Sequence, residues 1–339
     1  MDSQVFILNE KRNVTLTAYL QDESQEFWRA KKRPAVVIFP GGAYAYCSDR
    51  EADPVAQEYL RAGYHAFVLR YSVGWENAVW PNPLEDYDQA MELIAAHAKE
   101  WHLIPEKIAV IGFSAGGHLA ACAATMAKHR PAAAILAYPV ILEGLAAICA
   151  KGAPGADKAV DSQTCPCFIA ATGTDTTVSA MNSLRFVEAL YENGISAELH
   201  LYAFGPHGFS TARTSIADPA ELCSRTLHWV EDTISWLEDV FGAFTSGEMS
   251  SPRCPGRVRK DKDPYLSVDC LLATIAENQI AVERLNQLIL VEETTQKWIA
   301  EQKENLLTSE MTLRSALQFL NVPGEVIRKA DEILSEIPN

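Results

Sequence analysis

Between residues 35 and 202 short apolar runs take turns with helical stretches, and few folds accommodate that order. Residues 35–39, 65–70, 107–111, 133–137, 168–171 and 197–202 are runs of strand length, and residues 14–19 alternate with period two. A run with no polar face, such as 35–39, is a strand buried on both sides. The segments 53–62, 84–101, 115–129 and 184–193, and a longer one over 219–241, read as helices. The first has Asp53 as its N-cap, Pro54 at its first position and Gly63 as its stop. Leu84, Tyr87, Met91, Ile94 and Ala95 share one face of the second. Strands separated by helices predict an α/β fold, a mostly parallel sheet flanked by helices.

That pattern stops after Phe244. Residues 246–263 are rich in Gly, Pro and Ser and carry Arg253, Arg257, Arg259, Lys260 and Lys262, a basic cluster that reads as a solvated tether. The chain therefore divides into a domain over 1–245, a linker over 246–263 and an all-helical extension over 264–339. In the extension Leu271, Ile275, Val282, Leu285, Ile289 and Ile299 recur at helical spacing, with Asn278 and Glu292 interrupting the seam. This predicts one long amphipathic helix followed by helices over 312–320 and 324–333, suited to self-association as an interaction or dimerisation module.

Charge and composition narrow the function. The formal net charge is −15, which disfavours nucleic acid and anionic membrane as partners. The most apolar stretch, 132–142, is too short for a membrane span and contains Pro139. The N-terminal residues lack a basic, then apolar, leader, so the expected location is cytoplasmic, with the eight cysteines as free thiols. Cys165 and Cys167 read as the start of a buried strand rather than a metal pair.

The chemistry concentrates at Gly112-Phe113-Ser114-Ala115-Gly116, which lies between a strand and an Ala-rich helix. A serine on such a turn is lifted above the carboxyl edge of the sheet, and the small flanking residues let the backbone reverse. Its base is His207, in a Gly-flanked loop after the last strand; none of the other seven histidines has a better claim, and His118 reads as structural. The orienting acid is Asp175, in the turn after strand 168–171; the competing reading has it capping the helix near Asn182. The order Ser114, Asp175, His207 fits a nucleophile, acid and base. Oxyanion donors are expected from Gly41 or Gly42 together with the Ala115 amide, with Ala43 as a further candidate. Neither a metal nor an organic cofactor is required.

On these motifs, with Pro40-Gly41-Gly42-Ala43-Tyr44 and Gly205-Pro206-His207-Gly208-Phe209, residues 5–241 resemble the α/β-hydrolase superfamily, in its esterase/lipase branch and near carbohydrate acetyl (xylan) esterases. Pro40 stands where the branch usually has His, Ala43 replaces a third Gly, and Ser179-Ala180-Met181 follows the acid loop where Val-Pro is common. The resemblance implies an α/β-hydrolase fold and a small-molecule ester substrate, such as an acetylated xylo-oligosaccharide. Residues 140–164 offer room only for a small cap, and Tyr44, Trp75 and Trp80 are candidates to stack on sugar faces. A prolyl-type peptidase or amidase is the alternative on the same triad.

Overall fold

The apolar run at 35–39 lies near the middle of a sheet, as its lack of a polar face requires. The computed structural model describes residues 2–288 and 293–339; Met1, Ile289 and Glu292 lie outside the described residues. The elements of the first unit are β1 (Asp2–Asn9), β2 (Val14–Leu20), β3 (Arg33–Phe39), α1 (Asp53–Arg61), β4 (His65–Arg70), α2 (Asn82–His97), β5 (Leu103–Phe113), α3 (Ala115–Met126), β6 (Ala133–Ala137), α4 (Glu143–Cys149), β7 (Cys167–Thr172), α5 (Met181–Glu192), β8 (Ala197–Tyr202) and α6 (Trp229–Phe241). Among the described residues they form one eight-stranded sheet, ordered β1-β2-β4-β3-β5-β6-β7-β8. β1 pairs antiparallel with β2, and β2 with β4; all other neighbours are parallel.

Alternation along each strand builds two cores. Ala35, Val37 and Phe39 of β3 face one layer, with Tyr87 and Ile94 of α2 and Leu119 of α3. Val36 and Ile38 face the other, with Tyr59 of α1 and Trp229 and Leu237 of α6. Period-two geometry thus turns a continuous apolar run into two buried faces.

Local differences from the sequence expectations have local causes. β1 was not anticipated: it is a largely exposed edge strand that leaves Val5 and Ile7 in solvent. Asp53 is not the N-cap of α1; Ala52 is, without a side-chain cap bond, while the Asp53 carboxylate accepts the Tyr19 hydroxyl at 2.8 Å. Ala95 is exposed on α2. The helix expected over 219–241 starts only at Trp229. Before it lie two 3-10 turns, Pro219–Glu221 and Ser224–His228, separated by Leu222 and Cys223 in extended conformation with their side chains buried. Burying those two side chains overrides helical propensity.

A second unit, Arg257–Asn339, follows the first, Met1–Gly256. The stretch up to 256 is not a free tether: the Arg253 and Cys254 amides donate to the Asp239 carbonyl at 2.8 and 2.9 Å, and the Gly256 carbonyl accepts the Ser196 amide at 3.2 Å. Arg253 pairs with Asp239, and Arg259 with Asp261, so these two arginines are locally neutralised rather than merely solvated. In the second unit the single long helix is replaced by α7 (Leu272–Glu277), α8 (Gln279–Leu288), α9 (Glu293–Glu301) and α10 (Lys303–Leu307); α11 (Leu313–Phe319) and α12 (Gly324–Leu334) follow. Asn278 makes the first break: its backbone is extended, and its side chain accepts the Ala281 amide at 3.0 Å. Breaking there lets Ile275, Ala281, Leu285, Leu317, Ile327 and Leu334 meet in one core.

Candidate active site

Ser114 follows β5 directly and precedes α3. Its backbone stands at φ 53°, ψ −114°, a conformation costly for any L-residue and held here by its surroundings. The Ser114 amide donates to the Ala137 carbonyl and its carbonyl accepts the Val140 amide, both at 3.0 Å. The flanking glycines are required by contact. A methyl at Gly112 would overlap the Gly116 carbonyl, and one at Gly116 would overlap the Phe39 carbonyl. The N-terminus of α3, with its partial positive charge, begins at the residue after the serine.

The loops after β7 and β8 bring the other two groups to it. His207 Nε2 lies 2.9 Å from Ser114 Oγ, and His207 Nδ1 lies 2.6 Å from Asp175 Oδ2. Asp175 Oδ1 accepts the Thr177 and Val178 amides at 2.8 and 2.9 Å. Burial pushes the Asp175 carboxyl up, but the His207 bond and the two amides outweigh it and hold the pKa below its usual value. The two loops are tied together, since the Thr172 and Thr174 hydroxyls donate to the Gly205 carbonyl at 2.9 and 3.1 Å. Asp175 does not cap α5, whose N-cap is Ala180.

The glycine loop after β3 differs from expectation in one donor. Gly41 packs against the serine, where an added Cβ would stand 3.1 Å from Ser114 Cβ. Its amide, however, donates to Glu51 Oε2 at 2.8 Å and is thereby spent. The Gly42, Ala43 and Ala115 amides have no protein acceptor among the described residues. Glu51, buried in a three-residue 3-10 turn, was missed in the sequence, because a charged residue in a Ser-Asp-Arg-Glu loop reads as solvated. Its other oxygen accepts the Tyr138 hydroxyl at 2.8 Å. The only hint in the sequence is a carboxylate ten residues beyond the glycine loop.

The expected aromatic rim is divided. Trp75 is 71% exposed. Trp80 is half-buried against His118, with ring centroids 5.4 Å apart, and its amide donates to the Lys151 carbonyl at 2.9 Å. Tyr44 is 1% exposed and packs on Tyr71 and His118, so it offers no face to a sugar. Its hydroxyl donates to His118 Nδ1 at 2.9 Å while His118 Nε2 donates to the Pro154 carbonyl at 2.8 Å. That pairing pins α3 to the segment after α4, the structural part expected of His118. All eight cysteines are free thiols; Cys167 opens β7 and Cys165 lies just before it, both buried. Among the described residues no group of His, Cys, Asp and Glu side chains is arranged to hold a metal, and no helix is long and apolar enough to cross a membrane.

Comparison with known proteins adds four findings. A family model described as BD-FAE matches residues 25–140. Endo-1,4-beta-xylanase B of Butyrivibrio fibrisolvens is 31% identical over 229 residues, covering 58% of this chain and 35% of that protein. The acetylxylan esterase of Xylanibacter ruminicola is 29% identical over 197 residues, covering 52% of this chain and 41% of that protein. This chain thus spans well under half the length of either curated relative. Among solved structures, MGS-M1, described as an alpha/beta hydrolase enzyme from a Medee basin deep-sea metagenome library, superposes with a TM-score of 0.65 at 41% identity, covering 71% of this chain and 98% of that one.

Proposed function

The chain belongs to the α/β-hydrolase family, and on that footing we propose that it is a serine carboxylic-ester hydrolase acting on acetylated xylo- or related oligosaccharides. The observation that carries the reading is the continuous line of contacts from Ser114 Oγ through His207 to Asp175, at 2.9 and 2.6 Å. Ser114 Oγ attacks the ester carbonyl carbon while its proton passes to His207 Nε2. Asp175 holds the imidazole and offsets the charge it gains. The Gly42 and Ala115 amides, with Ala43 as a further donor, bind the oxyanion. The proton then leaves with the departing alcohol. Water, deprotonated by the same imidazole, releases acetate and restores the serine.

Two observations favour a short acyl group and a carbohydrate. The segment between β6 and β7 carries one seven-residue helix, α4, and a 3-10 turn, too little to bury a long chain. The xylan-related proteins above match 58% and 52% of this chain. The exposed Trp75 is the residue assigned to stack on sugar. Ser114→Ala is expected to lower kcat on p-nitrophenyl acetate on the order of 10⁶-fold, by analogy with another triad enzyme; hydrolysis surviving in that variant would remove the serine from the mechanism. Mass spectrometry of acetylated xylo-oligosaccharides before and after incubation tests the substrate, and loss of no acetyl group would refute it.

The helical extension is assigned to self-association. Trp298 and Phe319 stack with ring centroids 5.9 Å apart, and Phe319 is 66% exposed. Light scattering of the full chain and of a chain ending at Gly256 tests this, and a full chain with the mass of its own monomer would rule it out.

A further inference from the structure

Beneath the reacting groups lies a carboxylate that the mechanism above does not use. Glu51 is 2% exposed and makes no ion pair among the described residues. A buried carboxylate without a cation is costly and persists only where its hydrogen bonds compensate. Its two oxygens are bonded to opposite sides of the active site. Oε2 accepts the Gly41 amide of the oxyanion loop at 2.8 Å, and Oε1 accepts the Tyr138 hydroxyl at 2.8 Å.

Tyr138 carries the link onward to the histidine loop. Its oxygen accepts the Ser210 amide at 3.0 Å, and its ring meets the His207 ring edge-on at a centroid distance of 4.9 Å. The residue before Glu51 reinforces the same link. The Arg50 carbonyl accepts the Ser210 hydroxyl at 2.5 Å, and the Arg50 guanidinium lies where a Gly208 side chain would stand. One short turn, Asp49–Glu51, therefore holds both the loop that carries the oxyanion donors and the loop that carries the base.

We propose that Glu51 is a positioning residue which, through Gly41 on one side and Tyr138 on the other, sets the oxyanion loop and the His207 imidazole in register over Ser114. The inference rests on the serine-esterase reading above. Because oxyanion binding and proton transfer are realised in the transition state, loss of this register lowers kcat and leaves KM nearly unchanged. The two partners predict different outcomes for different substitutions. Glutamine can keep its carbonyl on the Gly41 amide and turn its NH₂ to the Tyr138 oxygen, so Glu51→Gln preserves the oxyanion arm. Glu51→Ala releases both arms, and Tyr138→Phe releases only the histidine arm.

The test measures kcat and KM on p-nitrophenyl acetate for the full chain and the variants Glu51→Ala, Glu51→Gln and Tyr138→Phe, per active site titrated with a fluorophosphonate, and for Ser114→Ala per mole of protein. Expected is a kcat loss on the order of 10²-fold for Glu51→Ala. Glu51→Gln and Tyr138→Phe each recover roughly a tenth or more of the wild-type kcat, and KM moves less than kcat in every case. Should Glu51→Ala fail to fold, the near-isosteric Glu51→Gln and Tyr138→Phe carry the test alone, each with kcat reduced severalfold. Wild-type kcat per titrated site in both, or losses confined to KM, would overturn the positioning role. Failure of the serine reading is separate, since it appears as an active Ser114→Ala.

Discussion

His207 Nδ1 sits 2.6 Å from Asp175 Oδ2, while the second oxygen of that carboxylate is already held by the Thr177 and Val178 amides. The two oxygens therefore have fixed and different duties. In Asp175→Asn the carbonyl oxygen must stay with the two amides, because an NH₂ there would face two donors. The new NH₂ then points at His207 Nδ1 and stabilises the tautomer protonated on Nε2, which cannot take the serine proton. kcat is expected to fall on the order of 10⁴-fold, by analogy with another triad enzyme, with little change in thermal stability. Activity within tenfold of wild type would show that the imidazole is oriented by something else.

The elbow makes a sharper demand than a preference for small residues. A Cβ at Gly116 overlaps the Phe39 carbonyl and stands 2.6 Å from the Pro40 carbonyl, both of them backbone atoms that cannot turn aside. Gly116→Ala is expected to cost about 3 kcal/mol or more of unfolding free energy, at the upper end of overpacking effects. Gly144, inside α4, would meet nothing within 4 Å. Gly144→Ala is expected to stabilise by about 0.5–1 kcal/mol, from helix propensity alone. Urea titrations of the two variants read the contrast, and equal midpoints would refute the contact argument.

The same contrast explains what was legible in the sequence. Ser114, Asp175 and His207 stand out because each sits in a loop after a strand with a distinctive turn composition, and period-two and period-3.6 patterns delimit those strands and helices. Glu51 and Tyr138 do not stand out, because burial of a loop carboxylate depends on partners 10 and 87 residues away. Tyr44 was misread for the same reason: an aromatic beside a glycine loop has the composition of a binding residue, and only packing shows its ring enclosed by Tyr71 and His118. In the extension, apolar spacing is legible across Asn278, but the choice between continuing a helix and capping a new one is made by the core that Ile275 and Leu285 share with α11 and α12.

Two buried imidazoles give the fold an acid limit. His65 Nε2 donates to the Trp101 carbonyl while Nδ1 accepts the Gln21 amide, and His118 is held in the same tautomer. Desolvation, partly offset by those carbonyl bonds, lowers both pKa values to about 4. Between pH 6.5 and 4 the unfolded chain binds protons that the folded chain refuses, so stability falls as pH falls through this window. The loss approaches roughly 3 kcal/mol per imidazole below pH 4. Urea midpoints at pH 7.5, 6 and 5 are expected to decline, and the decline is expected to be shallower in His65→Gln. An unchanged slope in that variant would assign the acid limit to other groups.

The boundary of the first unit also has an energetic meaning. Residues 246–256 return to α6 and β8 through the Arg253 and Cys254 amides on the Asp239 carbonyl and the Gly256 carbonyl on the Ser196 amide. A chain ending at Gly256 keeps all three bonds and every residue of the candidate site. Its rate on p-nitrophenyl acetate is expected to lie within about twofold of the full chain's, as for a domain with its own core. A chain ending at 245 loses these three bonds, a fourth from the Ser250 amide to the Ala243 carbonyl, and the Arg253–Asp239 pair. At about 1 kcal/mol for each of these backbone bonds, it should unfold about 3–4 kcal/mol more readily. Comparing the two truncations by urea titration and by initial rate separates the boundaries. Equal stability would return residues 246–256 to the role of a tether, and loss of activity in the longer truncation would give the helical unit a part in catalysis.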